Sequence, residues 1–380
     1  MGFWGLGIVV APILGPVVGG WLTDSYSWRW VFYINLPVGI ASIIMTKLFI
    51  FDPPYLRRET EKIDYWGIGM LVVGIGALQY VLDKGQEADW FADRGILTLS
   101  IVSGVTLLIL IIHEWTTEHP IIDLRVFKER SYATGVFLMT MLGFVLYGSM
   151  VLLPVMLQTL LGYPALQAGI AMAPRGMGSL VMMPIVGFLT GKLDVRKLLA
   201  TGFTVAGLTL IWLGSLNLSA GYWDIFWPQL LQGTGMALTF VPLTTATMQA
   251  IPPQRMGNAT SLFNLMRNIG GSVGIAVTGT MLTRQRQTVG ALMGARISIY
   301  DPETQGVLAQ LKAGFMARGA DAMTATERAY AALHGMLLRQ ASMVSFVWLF
   351  RLLGGIFLML LPLILIMRRP KGRVAAAGAH

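Results

Sequence analysis

The chain has no cysteine and only four histidines, and charged residues make up just 12% of it. Without cysteine there is no disulfide, no thiol nucleophile and no thiolate ligand, although the compartment stays open on that ground. The four histidines show no HxxxH pairing, so a metal site has little to build on. No Ser-His-Asp set stands out, and no GxxxxGK[ST] loop is present to cradle a nucleotide, which argues against hydrolytic chemistry and against ATP as the energy source. The charged fraction is about half that of an average soluble domain. The first apolar run has no basic segment ahead of it, unlike a cleavable signal.

What the chain has in quantity is apolar residue: 55% of 380 residues, with a mean hydropathy of +0.65. The apolar material falls in runs of ~17–27 residues, the length at which a helix spans a bilayer. Ten spans are expected, at about 3–22, 31–51, 66–82, 95–113, 132–157, 165–190, 198–216, 224–250, 262–283 and 343–367. The net charge of +9 would suggest nucleic acid if it clustered on one soluble face. It sits instead in short connections, as topology signals do, so no nucleic-acid partner is expected. Arg57, Arg58, Lys62, Arg125, Lys128, Arg130, Lys192, Arg196, Lys197 and Arg255 share one side with the basic tail. The opposite short connections hold only Arg29, Lys84 and Arg94. The positive-inside rule makes the first side cytoplasmic. The 284–341 segment is then external; 303–318 and 324–341 carry helical patterning, and it is a candidate contact for a partner.

Within the first span, Gly7, Ala11, Gly15 and Gly19 recur every fourth residue, with Pro12, Pro16 and Gly20 as a second stripe beside them. Residues four apart share a helix face, and small residues there let another backbone approach closely. The two prolines predict a bend. This helix is expected to press against a neighbour.

Those residues carry a resemblance. Gly2, Ala11, Gly15-Pro16 and Gly19-Gly20 resemble the antiporter motif of helix five in the major facilitator superfamily, with Ala11 standing where the motif has glycine. The run Trp28-Arg29-Trp30-Val31-Phe32-Tyr33-Ile34-Asn35-Leu36-Pro37-Val38-Gly39 is similar to the helix-five to helix-six junction of its fourteen-helix drug:proton antiporters, the EmrB/QacA type. Segments around Gln79–Phe91, Pro120–Lys128, Leu153–Gly176 and Arg267–Gly274 follow in family order, and Gly187–Arg196 looks like a degenerate copy of the superfamily hinge motif. The resemblance implies an all-α integral membrane protein, a major facilitator helical bundle with about ten transmembrane helices present. Residues 1–51 would be the last two helices of the amino-terminal half, 52–131 two extra central helices with cytoplasmic loops, and 132–380 the carboxy-terminal six-helix domain with the external loop 284–341. The first four helices of the family pattern are absent from the sequence, which reads as an amino-terminally truncated form.

The implied function is multidrug efflux: export of lipophilic, drug-like compounds in exchange for protons. No cofactor is implied, the proton gradient being the energy source. The implied setting is the inner (cytoplasmic) membrane, in the lipid bilayer, with a periplasmic membrane-fusion adaptor and an outer-membrane channel as partners. Two other readings remain: a non-transporting truncated membrane protein, and an uptake or siderophore carrier of the same fold.

Charge within a span marks function by default, because it is costly in the bilayer unless paired or wetted. Arg175 lies near the middle of its span; it either faces a cavity or clamps carbonyls freed by Pro174 or Pro184. Arg267 is an anchor or a gate contact, and Arg351 is able to snorkel outward. Asp83, Asp89 and Asp224 are the acids available to a coupling proton, all near the external boundary; of these Asp83 and Asp224 are kept as candidates. Gln79, Tyr80, Tyr147, Gln158, Gln232 and Asn264 are polar or aromatic positions that line a cavity or serve helix packing. The 23 methionines suit either a pliable pocket or ordinary packing.

Overall fold

The computed structural model describes residues 15–49, 64–117, 120, 122–249, 251–252, 255–298 and 300–366, and these are overwhelmingly helical. Gly7 and Ala11 lie outside the described residues, as do the basic residues of 50–63 and of the tail. The helices are α1 (15–25), the single turn α2 (Trp30–Tyr33), α3 (Asn35–Phe49), α4 (Tyr65–Lys84), α5 (Arg94–Thr116), α6 (Arg130–Thr159), α7 (Ala165–Thr190), α8 (Val195–Leu213), α9 (Tyr222–Met248), α10 (Met256–Gly294), α11 (Pro302–Ala317), α12 (Ala322–Met359) and the short α13 (Leu361–Ile364).

The described residues of each of the ten expected spans fall on a helix or helix pair, residues 15–22 alone being described for the first. Among the described residues, seven segments are long and apolar enough by themselves to cross a membrane: Trp30–Phe49, α4, α5, α6, α7, α8 and Ala322–Ile364. The protein is a multi-pass membrane protein. α9 and α10 are long but less apolar. α9 buries Gln229, Gln232, Thr239 and Thr247, and α10 carries Asn264 and Arg267. Helices enclosed by other helices need less apolar surface than helices facing lipid.

Six helices, α6 to α10 and α12, build the packed body. Tyr132, Phe203, Phe346, Phe350 and Phe357 are fully buried there. Phe203 of α8 meets Phe357 of α12 edge-on, with ring centroids 5.2 Å apart. α6 and α10 are pinned where the Tyr132 hydroxyl donates to the Ala259 carbonyl at 2.9 Å. α4 and α5 form a separate antiparallel pair, tied by Ser103 Oγ donating to Gly74 O at 2.9 Å. That pair touches the body where Gln86 Nε2 donates to Thr283 Oγ1 at 2.6 Å. α3 buries none of its residues among the described elements.

The 284–341 segment is not a loop. α10 continues without a break to Gly294, α12 starts at Ala322, and α11 packs on α12. The helical patterning at 303–318 and 324–341 is matched by α11 and the first half of α12. At 39 and 38 residues, α10 and α12 run to about 57 Å each. A hydrocarbon core is about 30 Å thick, so both project well past it on the same side.

Aspartates set five of the helix starts. Asp64 accepts from Gly67 N at 2.9 Å, Asp93 from Ile96 N at 2.9 Å, Asp194 from Arg196 N at 3.0 Å and Asp301 from Thr304 N at 3.3 Å. Asp321 accepts from Met323 N at 3.1 Å. Each satisfies an amide that the first helical turn leaves without a partner.

Candidate transport site and interhelical seams

Glycine decides how closely the body helices approach. On the α6–α10 seam, a side chain added at Gly143 would strike the Arg267 carbonyl, one at Gly270 the Thr140 carbonyl, and one at Gly274 the Phe144 carbonyl. Tyr147 of α6 lays its ring over Gly271 of α10, where Cε2 would stand 3.0 Å from an added Cβ. On the α7–α9 seam, Gly233 abuts the backbone of Arg175. Ser179 Oγ of α7 donates across it to Gly233 O at 2.9 Å, and also lies 3.1 Å from Arg175 O.

These seams bring several of the expected residues into one arc. Gly233 and Phe240 are seven apart and share a face of α9. Arg175 meets α9 at Gly233. Arg267 meets it at Phe240, with Cζ 5.9 Å from the ring centroid, within the reach of a cation–π contact. Tyr147 joins from α6 through Gly271, one turn along α10 from Arg267. The order is therefore Tyr147, Arg267, Phe240, Gly233, Arg175. The seven-residue step on α9 separates the two arginine contacts by about 10 Å along the helix axis.

The arc is electropositive and incompletely satisfied. Arg175 Nη2 and Arg267 Nε are buried without a hydrogen-bond partner among the described residues. Among those residues, no hydrogen bond from the Arg175 side chain to a carbonyl supports the clamp alternative. Beside the arc, Gln229 and Gln232 are 1% and 0% exposed. Gln229 Nε2 donates to Gln232 Oε1 at 3.4 Å, and this leaves Gln229 Oε1 and Gln232 Nε2 without partners among the described residues. Buried polar atoms of this kind are costly unless something meets them. Gln229 and Ser179 were not singled out in the sequence; their one legible signal is a polar side chain inside an apolar span.

The remaining candidates stand elsewhere. Gln158 is exposed near the end of α6, and Asn264 donates to Thr260 O of its own helix at 2.9 Å. Asp83 is exposed at the end of α4. Asp224 accepts from Gly221 N at 2.8 Å and so caps its own helix. Arg351 is exposed on α12, its stem 2.6 Å from where a Cβ on Gly214 would lie. Among the described residues, no group of three histidine, aspartate or glutamate side chains could hold a metal ion.

α1 meets α7 through the second small stripe rather than the first. Nothing among the described residues lies within 4 Å of where a Cβ on Gly15 or Gly19 would stand. A Cβ on Gly20 would lie 2.6 Å from the Ala165 carbonyl oxygen and 2.8 Å from Leu166 Cα, and one on Gly169 would strike the Pro16 carbonyl. The neighbour expected for this helix is therefore α7, and the contacting stripe is Pro16 and Gly20. Both stripes have the same four-residue period, so the sequence alone leaves the rotation of the helix open.

The sequence profile of the Major Facilitator Superfamily matches residues 1–275. The chain belongs to that superfamily. It is 35% identical over 382 residues to the multidrug export protein EmrB of Escherichia coli K12, covering all of this chain and 73% of that one. Against the multidrug export protein EmrB of Haemophilus influenzae it is 37% identical, over 82% of this chain and 61% of the relative. The fatty acid resistance protein FarB of Neisseria gonorrhoeae is 39% identical over 75% of this chain and 56% of its own length. Among solved structures, a bacterial homologue of the human lysosomal transporter Spinster aligns at 18% identity with a TM-score of 0.43, covering 94% of this chain and 84% of that one. The protein is thus a major facilitator transporter rather than an enzyme.

Proposed function

We propose that this transporter exports lipophilic compounds across the inner membrane in exchange for protons. The observation that carries the reading is the alignment of the whole chain with a protein named for multidrug export. The Tyr147–Arg267–Phe240–Arg175 arc supports it, since an apolar, aromatic surface holding a few unsatisfied polar groups suits a large amphipathic ligand. Two guanidinium groups, and no acid in the arc, favour substrates bearing an anionic group. The relative named for fatty acid resistance is in keeping with that preference. The exchange would run by alternating access, with the substrate held between the two halves of the fold near the midplane. The projecting helices α10 and α12, with α11, are the surface that a periplasmic adaptor and outer-membrane channel assembly would engage.

Transport by the full chain in a pump-deleted host, and in inside-out vesicles made from it, tests this. Substrate should accumulate in the vesicles on energisation, stop when the proton gradient is collapsed, and continue without ATP if respiration supplies the gradient. Movement in the opposite direction would instead identify an uptake carrier. Absence of gradient-dependent movement with normal membrane insertion would identify a non-transporting protein.

A further inference from the structure

α7 begins at Ala165 after Pro164, and Pro164 offers no side-chain cap. The N–H groups of the first turn need acceptors. For Leu166 the acceptor comes from another helix: Asp24 Oδ2 on α1 accepts from Leu166 N at 2.7 Å, across 142 residues of chain. Asp64, Asp93, Asp194, Asp301 and Asp321 cap the helices that directly follow them, whereas Asp24 caps one far away in sequence. The hydrogen bond sits immediately beside the α1–α7 knuckle, where Gly20 abuts Ala165 and Leu166 and Gly169 abuts Pro16.

We propose that Asp24 is a positioning residue that holds α1 against the start of α7 and so keeps the two halves of the transporter closed along this seam. This rests on the alternating-access reading above, in which α1 belongs to one half and α7 to the other. Three properties make the contact a latch. The acceptor is a carboxylate aimed at the positive end of a helix, so the bond is charge-assisted. The seam beside it is backbone on backbone, so it is either fully seated or apart, with little between. Opening it strips α7 of that capping acceptor, because Pro164 supplies none, so the open state carries a defined penalty.

The chain contains no cysteine, so spin labels go where they are placed. Ser25 and Gln167 flank the seam and are both exposed. With labels at Ser25→Cys and Gln167→Cys in the full chain, reconstituted in lipid, a single short distance should dominate. Asp24→Ala should lower the closed-to-open ratio by about two- to thirtyfold, as expected for losing a solvent-exposed helix cap. Asp24→Asn, which keeps an acceptor, should retain most of the short distance.

Asp24→Ala could also weaken α7 itself, so a second variant separates the roles. Pro164→Ser gives α7 a cap of its own. In Asp24→Ala/Pro164→Ser, thermal stability should return while the long distance persists. An unchanged distance distribution in both alanine variants would overturn the latch, and so would return of the short distance with the serine cap, since Asp24 would then be a cap and nothing more. Distances are read without substrate or gradient, so failure of the efflux reading would show in the vesicle assay and leave this result intact.

Discussion

Replacing Gly233 by alanine tests whether the α7–α9 seam is as tight as it looks. The new Cβ would fall on the Arg175 carbonyl oxygen and 2.9 Å from Ser179 N. Ordinary contact begins at 3.4 Å, so the two backbones must separate by about 1.5 Å in a body that packs like a solid. Overpacking of this kind costs about 1–3 kcal/mol. Losing the Ser179 bond to Gly233 O adds about 1 kcal/mol. Working the other way, alanine is favoured over glycine inside a helix by about 1 kcal/mol. The net expectation is a loss of about 1–3 kcal/mol. Gly355 supplies the control, since it lies inside α12 with open space where its Cβ would go; Gly355→Ala should be neutral or gain up to about 1 kcal/mol. Unfolding of the detergent-solubilised protein, followed by its monodisperse fraction after heating, measures both. Because Arg175 itself is displaced, Gly233→Ala should also lower transport more than its stability loss explains. A Gly233→Ala protein as stable as wild type would refute the reasoning, because it would mean that α7 and α9 slide apart at no cost.

Three further outcomes follow from the same geometry. Gly20→Leu should abolish efflux by wedging α1 from α7, whereas Gly15→Leu, which meets nothing among the described residues, should leave it near wild type; equal loss in efflux assays at matched expression would place the seam on the other stripe. Arg175→Ala should raise the KM for an anionic lipophilic substrate by about tenfold or more, the scale of one charge-assisted contact, while Arg351→Ala, exposed on α12, should change it little; vesicle uptake kinetics decide, and the reverse order would move the site. The Gly67 amide, helped by His113 at 2.8 Å, holds the Asp64 carboxyl below its ordinary value of 3.8. A carboxyl lowered in the folded state contributes fully above its unfolded value and loses that contribution as pH falls through the folded one. Acid unfolding below about pH 3.8 should therefore flatten in Asp64→Asn, and an unchanged acid limb would remove Asp64 from the account.

Much of the fold was legible because span length and apolar runs are properties of single helices. The described parts of the ten expected spans fall on helices without any knowledge of how those helices pack. The outer segment was harder to read, because α10 and α12 stay helical while their surface changes from apolar to polar at the membrane boundary. A hydropathy window registers that change as an end of the helix, but backbone hydrogen bonding does not stop where the solvent changes. The site was legible one residue at a time. Arg175, Arg267 and Tyr147 each stood out as polar or aromatic in an apolar run, yet nothing in their spacing places them in one arc, with both arginines against α9 and Tyr147 against α10.

What joined them was glycine, whose meaning depends on its partner. Gly233 matters because Arg175 presents bare backbone there, and Gly271 matters because Tyr147 covers it. Gly15 and Gly19, with the same spacing as any packing stripe, meet nothing among the described residues. A small residue records only that close approach is permitted, and the rotation of the opposite helix decides whether it happens. Asp24 shows the same dependence in polar form. Next to Leu166 the missing partner is visible from the other side: a helix that starts after Pro164 has an amide to satisfy and no side chain of its own to satisfy it. A proline-started helix without a nearby Ser, Thr, Asp or Asn is therefore a place to look for a cap from a distant helix, and here that search leads from α7 directly to the one aspartate at the end of α1.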